Sequence, residues 1–212
     1  MVKYIHSIRL TDWYVCWNLS LNGILRSGKI NQKNIFPNLK NNKNVNNSYH
    51  EITVTPTPTG ITLLKNPDSR KAEVERNFEK CRKDKFPNLP SRLNSLWVAE
   101  DSINGKKYLT DMFKDEQNTR KILQIDILPS SVIHRADVQW FDKYFDASDE
   151  NFILNYWKKL PLNINPKWEI LIDGGFKISI KDIIFLRKHC IKNFVGILSK
   201  EIIEISYQSN PI

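Results

Sequence analysis

The residue with the clearest chemical potential is Glu169, which begins an apolar, strand-like segment near the end of the chain. Trp168 precedes it, and residues 170–172 favour a pleated, half-buried surface. Residues 173–175 (Asp-Gly-Gly) predict a turn, and the alternation over 176–180 predicts another strand, so the segment is interpreted as a hairpin. The Glu169 carboxylate either lies on the solvent face or points into a cleft.

A second group of polar residues leads into a predicted short strand within residues 90–99. Arg92 carries a planar fork of donors that matches the shape of an anion. Asn94 and Ser95 add short donors and acceptors, and Trp97 follows within the strand. The stretch therefore offers a fork for an anion next to several short polar side chains.

The first predicted strand, residues 2–10, carries His6 and Arg9 on opposite faces, because side chains alternate along a strand. A helix is predicted to follow it. Its cap is residue 11 or 12, and it ends at the glycine of position 23 or 28.

Other periodic segments predict an α+β fold. Helices are predicted at 68–85, 100–114 and 148–159, and strands at 121–128 and 197–207. Residues 183–193 are predicted to form a helix or a mixed segment. His134 is expected at the surface, in a connection over residues 130–144. Because strands do not alternate strictly with helices, the pairing should be mainly antiparallel or mixed.

The chain is interpreted as a single domain of residues 1–212 with a mobile loop inserted at about 37–60. This segment contains an asparagine-rich run followed by alternating threonine and proline, which neither helix nor strand accommodates well. The loop is either a lid over a ligand or a simple insertion.

Net charge and cysteine spacing indicate which partners and which compartment suit the chain. The formal net charge is +9, which indicates an acidic partner such as nucleic acid, a phosphate-bearing ligand or an acidic protein. The basic helix at 68–85 is either a solvated face or a nucleic-acid contact surface. Three widely spaced cysteines indicate reduced cytoplasmic thiols, and neither a secretory signal nor a membrane span is expected.

Several catalytic signatures are missing from the sequence. It contains no G-x-G-x-x-G, no Walker A loop, no H-E-x-x-H, no paired C-x-x-C and no G-x-S-x-G elbow. Asp126, Asp137 and Asp142 match no metal-ligand spacing, so no metal is predicted. Dehydrogenase, nucleotide triphosphatase, zinc-enzyme and hydrolase interpretations are therefore weakened.

The order of the polar stretches resembles the ADP-ribosyltransferase superfamily. In that family a His or Arg on the first strand holds NAD, a short polar motif opens a middle strand, and a late Glu is catalytic. The corresponding places here are His6 or Arg9, residues 92–97, and Glu169. The resemblance implies a split, mixed or antiparallel sheet core with flanking helices, with NAD as substrate and no metal.

The resemblance also implies roles for single residues. Glu169 would stabilise the positive charge that forms on the ribose when the nicotinamide bond breaks. His6 would hold the ribose or the nicotinamide amide, and Arg9 or Arg92 would pair with the diphosphate. Asn94 and Ser95 would brace the walls of the pocket. Trp97, Tyr108 or Trp157 would stack on the nicotinamide ring.

Lys167 stands where arginine- or cysteine-modifying members carry a Gln or Glu, two residues before the catalytic position. A nucleic-acid acceptor, RNA or DNA, therefore fits best with the basic charge, and a protein is the second acceptor class. A small basic transferase of this kind resembles a bacterial toxin of a toxin–antitoxin or phage-defence system, with an antitoxin as partner. The alternatives are a nucleic-acid-binding or nuclease-type toxin that does not use NAD, and a non-enzymatic interaction module.

Overall fold

The computed structural model of the protein describes residues 2–27 and 69–193. The predicted loop at 37–60 and the predicted strand at 197–207 lie outside these residues. In chain order the elements are β1 (Tyr4–Arg9), α1 (Trp13–Asn22), β2 (Ile24–Arg26), α2 (Arg70–Lys85), β3 (Leu96–Glu100), α3 (Ile103–Met112), a 3-10 helix (Lys114–Thr119), β4 (Arg120–Ile127), β5 (Val132–Asp137), α4 (Gln139–Ala147), α5 (Glu150–Trp157), β6 (Trp168–Asp173), β7 (Gly175–Ile178) and α6 (180–193).

Within the described residues, seven strands form one sheet in the order β2-β7-β4-β1-β3-β6-β5. Each neighbouring pair is antiparallel. This arrangement confirms the predicted α+β class with antiparallel pairing. Strands β1, β3 and β6 are neighbours in the sheet, and the polar stretches singled out in the sequence lie on them or directly before them.

The sheet has an apolar core on each face. On one face, α1 and α6 bury Cys16, Leu19 and Leu186 against sheet residues such as Val98 and Ile170. On the other face, residues of α2, α4 and α5 pack around Leu171 of β6, and the contacts include Phe78, Phe141 and Trp157. Because successive residues of β6 point to opposite faces, Glu169 lies with Leu171 on the α2 and α5 side.

The sheet divides between β1 and β3. The ladder there joins only Tyr4 with Glu100 and Ile5 with Ala99, whereas β1 pairs with β4 along its whole length. Beyond Ile5, the Nδ1 atom of His6 donates to the backbone oxygen of Trp97 at 2.6 Å. A side chain therefore connects the two strands where their backbone ladder has ended.

The predicted strand, turn and strand around Gly174 are present, but the predicted hairpin is wrong. Strand β6 pairs with β3 and β5, whereas β7 pairs with β2 and β4. Gly174 has a φ of 132°, and a Cβ there would lie 2.4 Å from Oγ of Ser131. Turn chemistry predicts a change of direction but not which strands pair, and here the chain passes from one half of the sheet to the other.

The expectation for residues 130–144 is also wrong. Val132–Asp137 form the edge strand β5, and His134 is 0% exposed, opposite Leu171 in the register. Its ring lies 5.0 Å from that of Trp157, which covers this end of the sheet. The strand pattern was concealed because the polar His134 is on the buried face and the apolar Ile133 is exposed.

The local signals for helix ends are confirmed. Asp12 caps α1 by accepting from the backbone N–H of Val15 at 3.1 Å, and Gly23 ends it with a φ of 71°. Asp149 caps α5 in the same manner, by accepting from Asn151 at 2.9 Å. These short-range contacts depend only on neighbouring residues, so they could be predicted without the fold.

All three cysteines are free thiols, as their spacing indicated. No helix within residues 2–27 and 69–193 has the length and apolar character needed to cross a membrane. The same residues contain no group of three or more His, Cys, Asp or Glu side chains that could hold a metal ion.

Candidate active site

Glu169 is a buried carboxylate, with 1% of its surface exposed. Its Oε1 atom accepts from Arg92 Nη1 and from the Tyr156 hydroxyl, and its Oε2 atom accepts from the Tyr108 hydroxyl at 2.9 Å. These partners come from the turn before β3, from α5 and from α3. Three separate segments therefore converge on this one side chain, and the solvent-facing interpretation of Glu169 is excluded.

Arg92 joins Glu169 to a second buried acid, Glu75 of α2. Arg92 donates from Nε and Nη2 to the two carboxylate oxygens of Glu75, at 2.9 and 3.1 Å. The side chains of Arg92, Glu75 and Glu169 are only 1–3% exposed. Because one guanidinium serves two carboxylates, this buried triad carries a formal charge of −1.

Aromatic rings surround the Arg92 guanidinium. Its central carbon lies 4.5 Å from the ring centroid of Phe141, 4.8 Å from that of Trp97 and 5.2 Å from that of Tyr156. The indole N–H of Trp97 also donates to the Arg92 backbone oxygen at 3.2 Å. Stacking and hydrogen bonding together fix the guanidinium in an environment with little water.

The sheet leaves room for this polar cluster because the neighbours of Glu169 are small. Ala136 of β5 lies directly opposite Glu169 in the register. Ala99 follows Val98, which pairs with Ile170, so it flanks Glu169 on the other side. Both alanines are fully buried. Larger side chains at these positions would occupy the space taken by the tyrosine hydroxyls.

Burial disfavours the charged forms of Glu169 and Arg92, whereas their hydrogen bonds and ion pairs stabilise those forms. Burial raises the pKa of Glu169, although Arg92 and the two tyrosine hydroxyls act in the opposite direction. Burial would lower the pKa of Arg92, but Glu169 and Glu75 hold it well above the ordinary value. Burial, together with the charge of Glu169, raises the pKa of Tyr108 well above its usual range, so this hydroxyl remains a donor.

The structure brings together part of the predicted site. Glu169, Arg92 and Trp97 form one connected cluster, together with Tyr108. Asn94 and Ser95 form the turn before β3, where both backbone N–H groups donate to the Ser91 oxygen; Asn94 is exposed and Ser95 is buried. Trp157 packs in the core and donates to the Phe78 backbone oxygen at 3.1 Å.

His6 lies on the other face of the sheet from Glu169, with its ring 5.0 Å from that of Phe176. The Trp97 oxygen can only accept, so Nδ1 of His6 carries a proton. Burial, against the raising effect of that bond, lowers the pKa of His6 to about 4. The imidazole is therefore neutral at pH 7, with a lone pair on Nε2.

Arg9 lies on the same face as Glu169, but at the far end of β1. Its guanidinium pairs with Glu116, which also accepts from Arg120 at 2.8 Å. The Arg9 side chain is 48% exposed. Arg120 is more buried and donates to the hydroxyl and backbone oxygen of Ser7 at 3.0 and 2.7 Å. Two guanidinium groups thus share one carboxylate where β1 and β4 pair, at Arg9 and Arg120.

Sequence reasoning missed Glu75, which appeared as one charge among many on a basic helix. Its spacing contained a signal: Glu75 is three residues from both Ala72 and Phe78, which form the apolar stripe of α2. A carboxylate within an apolar stripe implies a buried cation as its partner. No local pattern in the sequence indicated that Tyr156 would contact Glu169.

His134 adjoins this site, and neither of its ring nitrogens has a hydrogen-bond partner among the described residues. Burial, reinforced by the positive charges of Lys159 and Arg92, lowers the pKa of His134 to about 3 from its ordinary 6.5. The Tyr156 backbone, the smallest of the influences on this pKa, acts in the opposite direction.

We expect His134→Leu to reduce the loss of stability at mildly acidic pH. Below pH 6.5 the unfolded chain binds a proton at His134 and the folded chain does not, until the pH approaches 3. Unfolding therefore becomes easier by about 1.4 kcal/mol per pH unit through this group, or about 2 kcal/mol between pH 6.5 and 5. Urea denaturation of both proteins at the two pH values measures the difference. Equal acid sensitivity in the two proteins would contradict a neutral, buried His134.

The chain matches the model of a protein family over most of its length. Residues 18–185 match the model of a family described as a protein of unknown function, DUF2441. No curated protein matches the chain at a significant level. The matched span includes Arg92, Glu75 and Glu169, and it begins after His6 and Arg9.

Proposed function

We propose a function for this chain from the premise that it belongs to the DUF2441 family, whose description assigns no activity. The proposed activity is that of an NAD-dependent mono-ADP-ribosyltransferase that transfers ADP-ribose to a nucleic acid. A cytoplasmic bacterial toxin or phage-defence effector, held in check by an antitoxin, fits this activity. The argument rests on the site, together with the likeness of the sequence to the ADP-ribosyltransferase superfamily.

The observation that carries the proposal is the adjacency of β1, β3 and β6. The three motifs of the resemblance are separated by more than 70 residues in the sequence, yet their strands are neighbours. The split between β1 and β3 lies beside Trp97, and Glu169 is on the next strand. This arrangement supports the interpretation of the sheet as an ADP-ribosyltransferase-like split sheet.

In the proposed reaction, the bond between nicotinamide and the ribose C1′ breaks, and its electron pair leaves with nicotinamide. The ribose becomes positively charged, as in glycoside cleavage, and the Glu169 carboxylate stabilises it. An acceptor nucleophile then bonds to C1′ and loses a proton. A ribose hydroxyl of NAD replaces the hydroxyl of Tyr108 at Oε2, because Tyr108 is the partner of Glu169 that is only partly buried.

The other NAD contacts are assigned by face and exposure. Arg92 is committed to two buried carboxylates, so we assign the diphosphate to Arg9, which is half-exposed on the Glu169 face. Trp97 and Tyr108 provide the aromatic surfaces for nicotinamide. The neutral His6 supports the Trp97 backbone, and its Nε2 can accept from a ligand hydroxyl at the opening between β1 and β3.

We expect Arg9→Gln to weaken NAD binding about tenfold or more, because a charge-assisted hydrogen bond contributes about 1.5–3 kcal/mol. Isothermal titration of NAD measures the change. The matched control is Arg26→Gln, at an exposed arginine of the edge strand β2, which should bind as the wild type does. Equal weakening in both variants would indicate a general charge effect and would remove Arg9 from the site.

The acceptor is proposed from charge. The net charge is +9, and α2 presents the exposed lysines Lys71, Lys80, Lys83 and Lys85. Neutralisation of phosphates by such residues supplies affinity that does not depend on sequence. An acidic protein surface is the second acceptor class.

A specific observation favours one alternative, a basic nucleic-acid-binding or nuclease-type toxin that does not use NAD. Glu169 is 1% exposed and hydrogen-bonded at both oxygens, which also suits a purely structural carboxylate. In that case the basic face of α2 would carry the function, and NAD would not be consumed.

Release of nicotinamide distinguishes the two functions. Purified protein is incubated with NAD, and nicotinamide is quantified by chromatography over time, with and without total RNA, DNA and protein. The transferase interpretation predicts release that increases when the acceptor is present. No release from a folded protein under any of these conditions would favour the alternative.

A further inference from the structure

The buried triad distributes one positive charge unequally between two acids. Glu75 receives the parallel fork of Arg92, with one bond to each carboxylate oxygen, at 2.9 and 3.1 Å. Glu169 receives only the remaining nitrogen, Nη1, which also donates to the Tyr156 hydroxyl at 2.7 Å. The bidentate geometry is the stronger form of an arginine–carboxylate pair. Two of the three guanidinium nitrogens therefore serve Glu75, and one serves Glu169.

We propose that Glu75 is a positioning residue that sets the charge state of Glu169 through Arg92. The two carboxylates compete for one cation in a site without solvent, so the negative charge on Glu75 disfavours the ionised form of Glu169. The pH range in which Glu169 is charged then depends on a residue of another element, α2. The consequence for catalysis rests on the proposed function, whereas the coupling between the two acids does not.

The direction of this coupling follows from the electrostatics. Burial is the largest influence that raises the pKa of Glu169, Arg92 is the largest that lowers it, and Glu75 raises it further. Four other titratable side chains surround the triad, one from each of four elements packed around it. They are Tyr108 of α3, His134 of β5, Asp142 of α4 and Tyr156 of α5. His134 is neutral at pH 7. Both tyrosines keep their protons: burial and the charge of Glu169 raise the pKa of Tyr108, and burial is the largest influence that raises the pKa of Tyr156.

A purely structural role predicts something different. If Glu75 only anchors Arg92, replacement of Glu75 would lower the free energy of unfolding and leave the titration midpoint of Glu169 unchanged. Glu75→Gln separates the two roles, because glutamine has the same shape and its amide oxygen still accepts from Arg92, while the negative charge is lost.

The test is a carboxyl NMR titration of protein labelled with ¹³C at glutamate Cδ, with the Glu169 resonance assigned from Glu169→Gln. We expect Glu75→Gln to lower the midpoint of the Glu169 resonance by about one pH unit, the size expected when a like charge is removed. The control is Glu79→Gln, one turn further along α2, whose carboxylate pairs with Arg82 rather than Arg92. It should leave the midpoint unchanged. An unchanged midpoint in Glu75→Gln would overturn the proposal.

Wild-type protein provides a second measurement that does not depend on the folding of the variant. Because a second carboxylate shares its guanidinium, the Glu169 resonance should depart from a simple single-step curve. A single-step curve for Glu169 would overturn the proposal. Neither NMR result requires NAD.

Activity provides a separate readout. If nicotinamide is released, the acidic limb of the kcat/KM profile should move to lower pH in Glu75→Gln by the same amount as the NMR midpoint. A shifted midpoint with no nicotinamide release from any protein would retain the coupling and reject the proposed function. A shifted midpoint with an unshifted pH profile would reject the link between the triad and catalysis.

Discussion

Arg92→Met is expected to destabilise the protein by about 3–5 kcal/mol, because it leaves two buried carboxylates without a counter-charge. Glu75 and Glu169 are each 1% exposed, so solvent cannot replace the lost guanidinium. Methionine fills much of the space along the aromatic rings, so the loss should come from charge more than from packing. Urea denaturation at pH 7 gives the free energy of unfolding.

A neutral triad separates charge from packing in this experiment. The variant Arg92→Met/Glu75→Gln/Glu169→Gln carries no buried charge at these positions and should recover more than half of the stability lost in Arg92→Met. The single variant should also become less destabilised as the pH falls, because its unpaired carboxylates take up protons. A loss below about 1 kcal/mol in Arg92→Met would show that the triad is solvated and would contradict its burial.

Glu169→Gln is expected to lower kcat/KM for nicotinamide release by about 10²–10³-fold, the size seen when a preorganised electrostatic contact to a transition state is removed. Glutamine retains the shape, its amide oxygen can still accept from Arg92 and Tyr156, and its amide N–H can donate to the Tyr108 hydroxyl, so the fold should persist. Removing the charge should also relieve the excess negative charge of the triad. Stability should therefore change far less than activity.

The control for this variant is Glu116→Gln, which neutralises a partly exposed carboxylate at the other end of β1. It should retain catalysis at saturating NAD, because Glu116 does not touch the reacting atoms. Nicotinamide release by Glu169→Gln within threefold of the wild type, measured on folded protein, would contradict a catalytic role for Glu169.

How far the sequence predicts the fold depends on the range of the interactions. The Asp12 cap, the Gly23 helix end and the strand at 4–9 follow from neighbouring residues, and all three were predictable. The partners of β6 and β7 were not, because the turn at Gly174 is compatible with a hairpin and with a passage between the halves of a sheet. Strand pairing is decided by burial against distant elements.

The same limit applies to the site. The type and position of Glu169 marked it as unusual, and Arg92 marked an anion partner, but the sequence could not show that each residue binds the other. Contacts from Tyr156, Tyr108 and Glu75 come from three different helices, so they depend on how these helices pack on the sheet. His134 shows the reverse case, in which a polar residue type suggested the surface and the strand register buried it.

The most direct test of the proposed transferase follows a label from NAD into an acceptor. Wild-type protein and Glu169→Gln are each incubated with adenine-labelled NAD and, in separate tubes, total cellular RNA, DNA or protein. The proposal predicts that label enters a nucleic-acid fraction with the wild type and not with Glu169→Gln. Label in the protein fraction alone would retain the transferase and change its acceptor class. Folded wild-type protein that neither releases nicotinamide nor labels any fraction would contradict the proposed function.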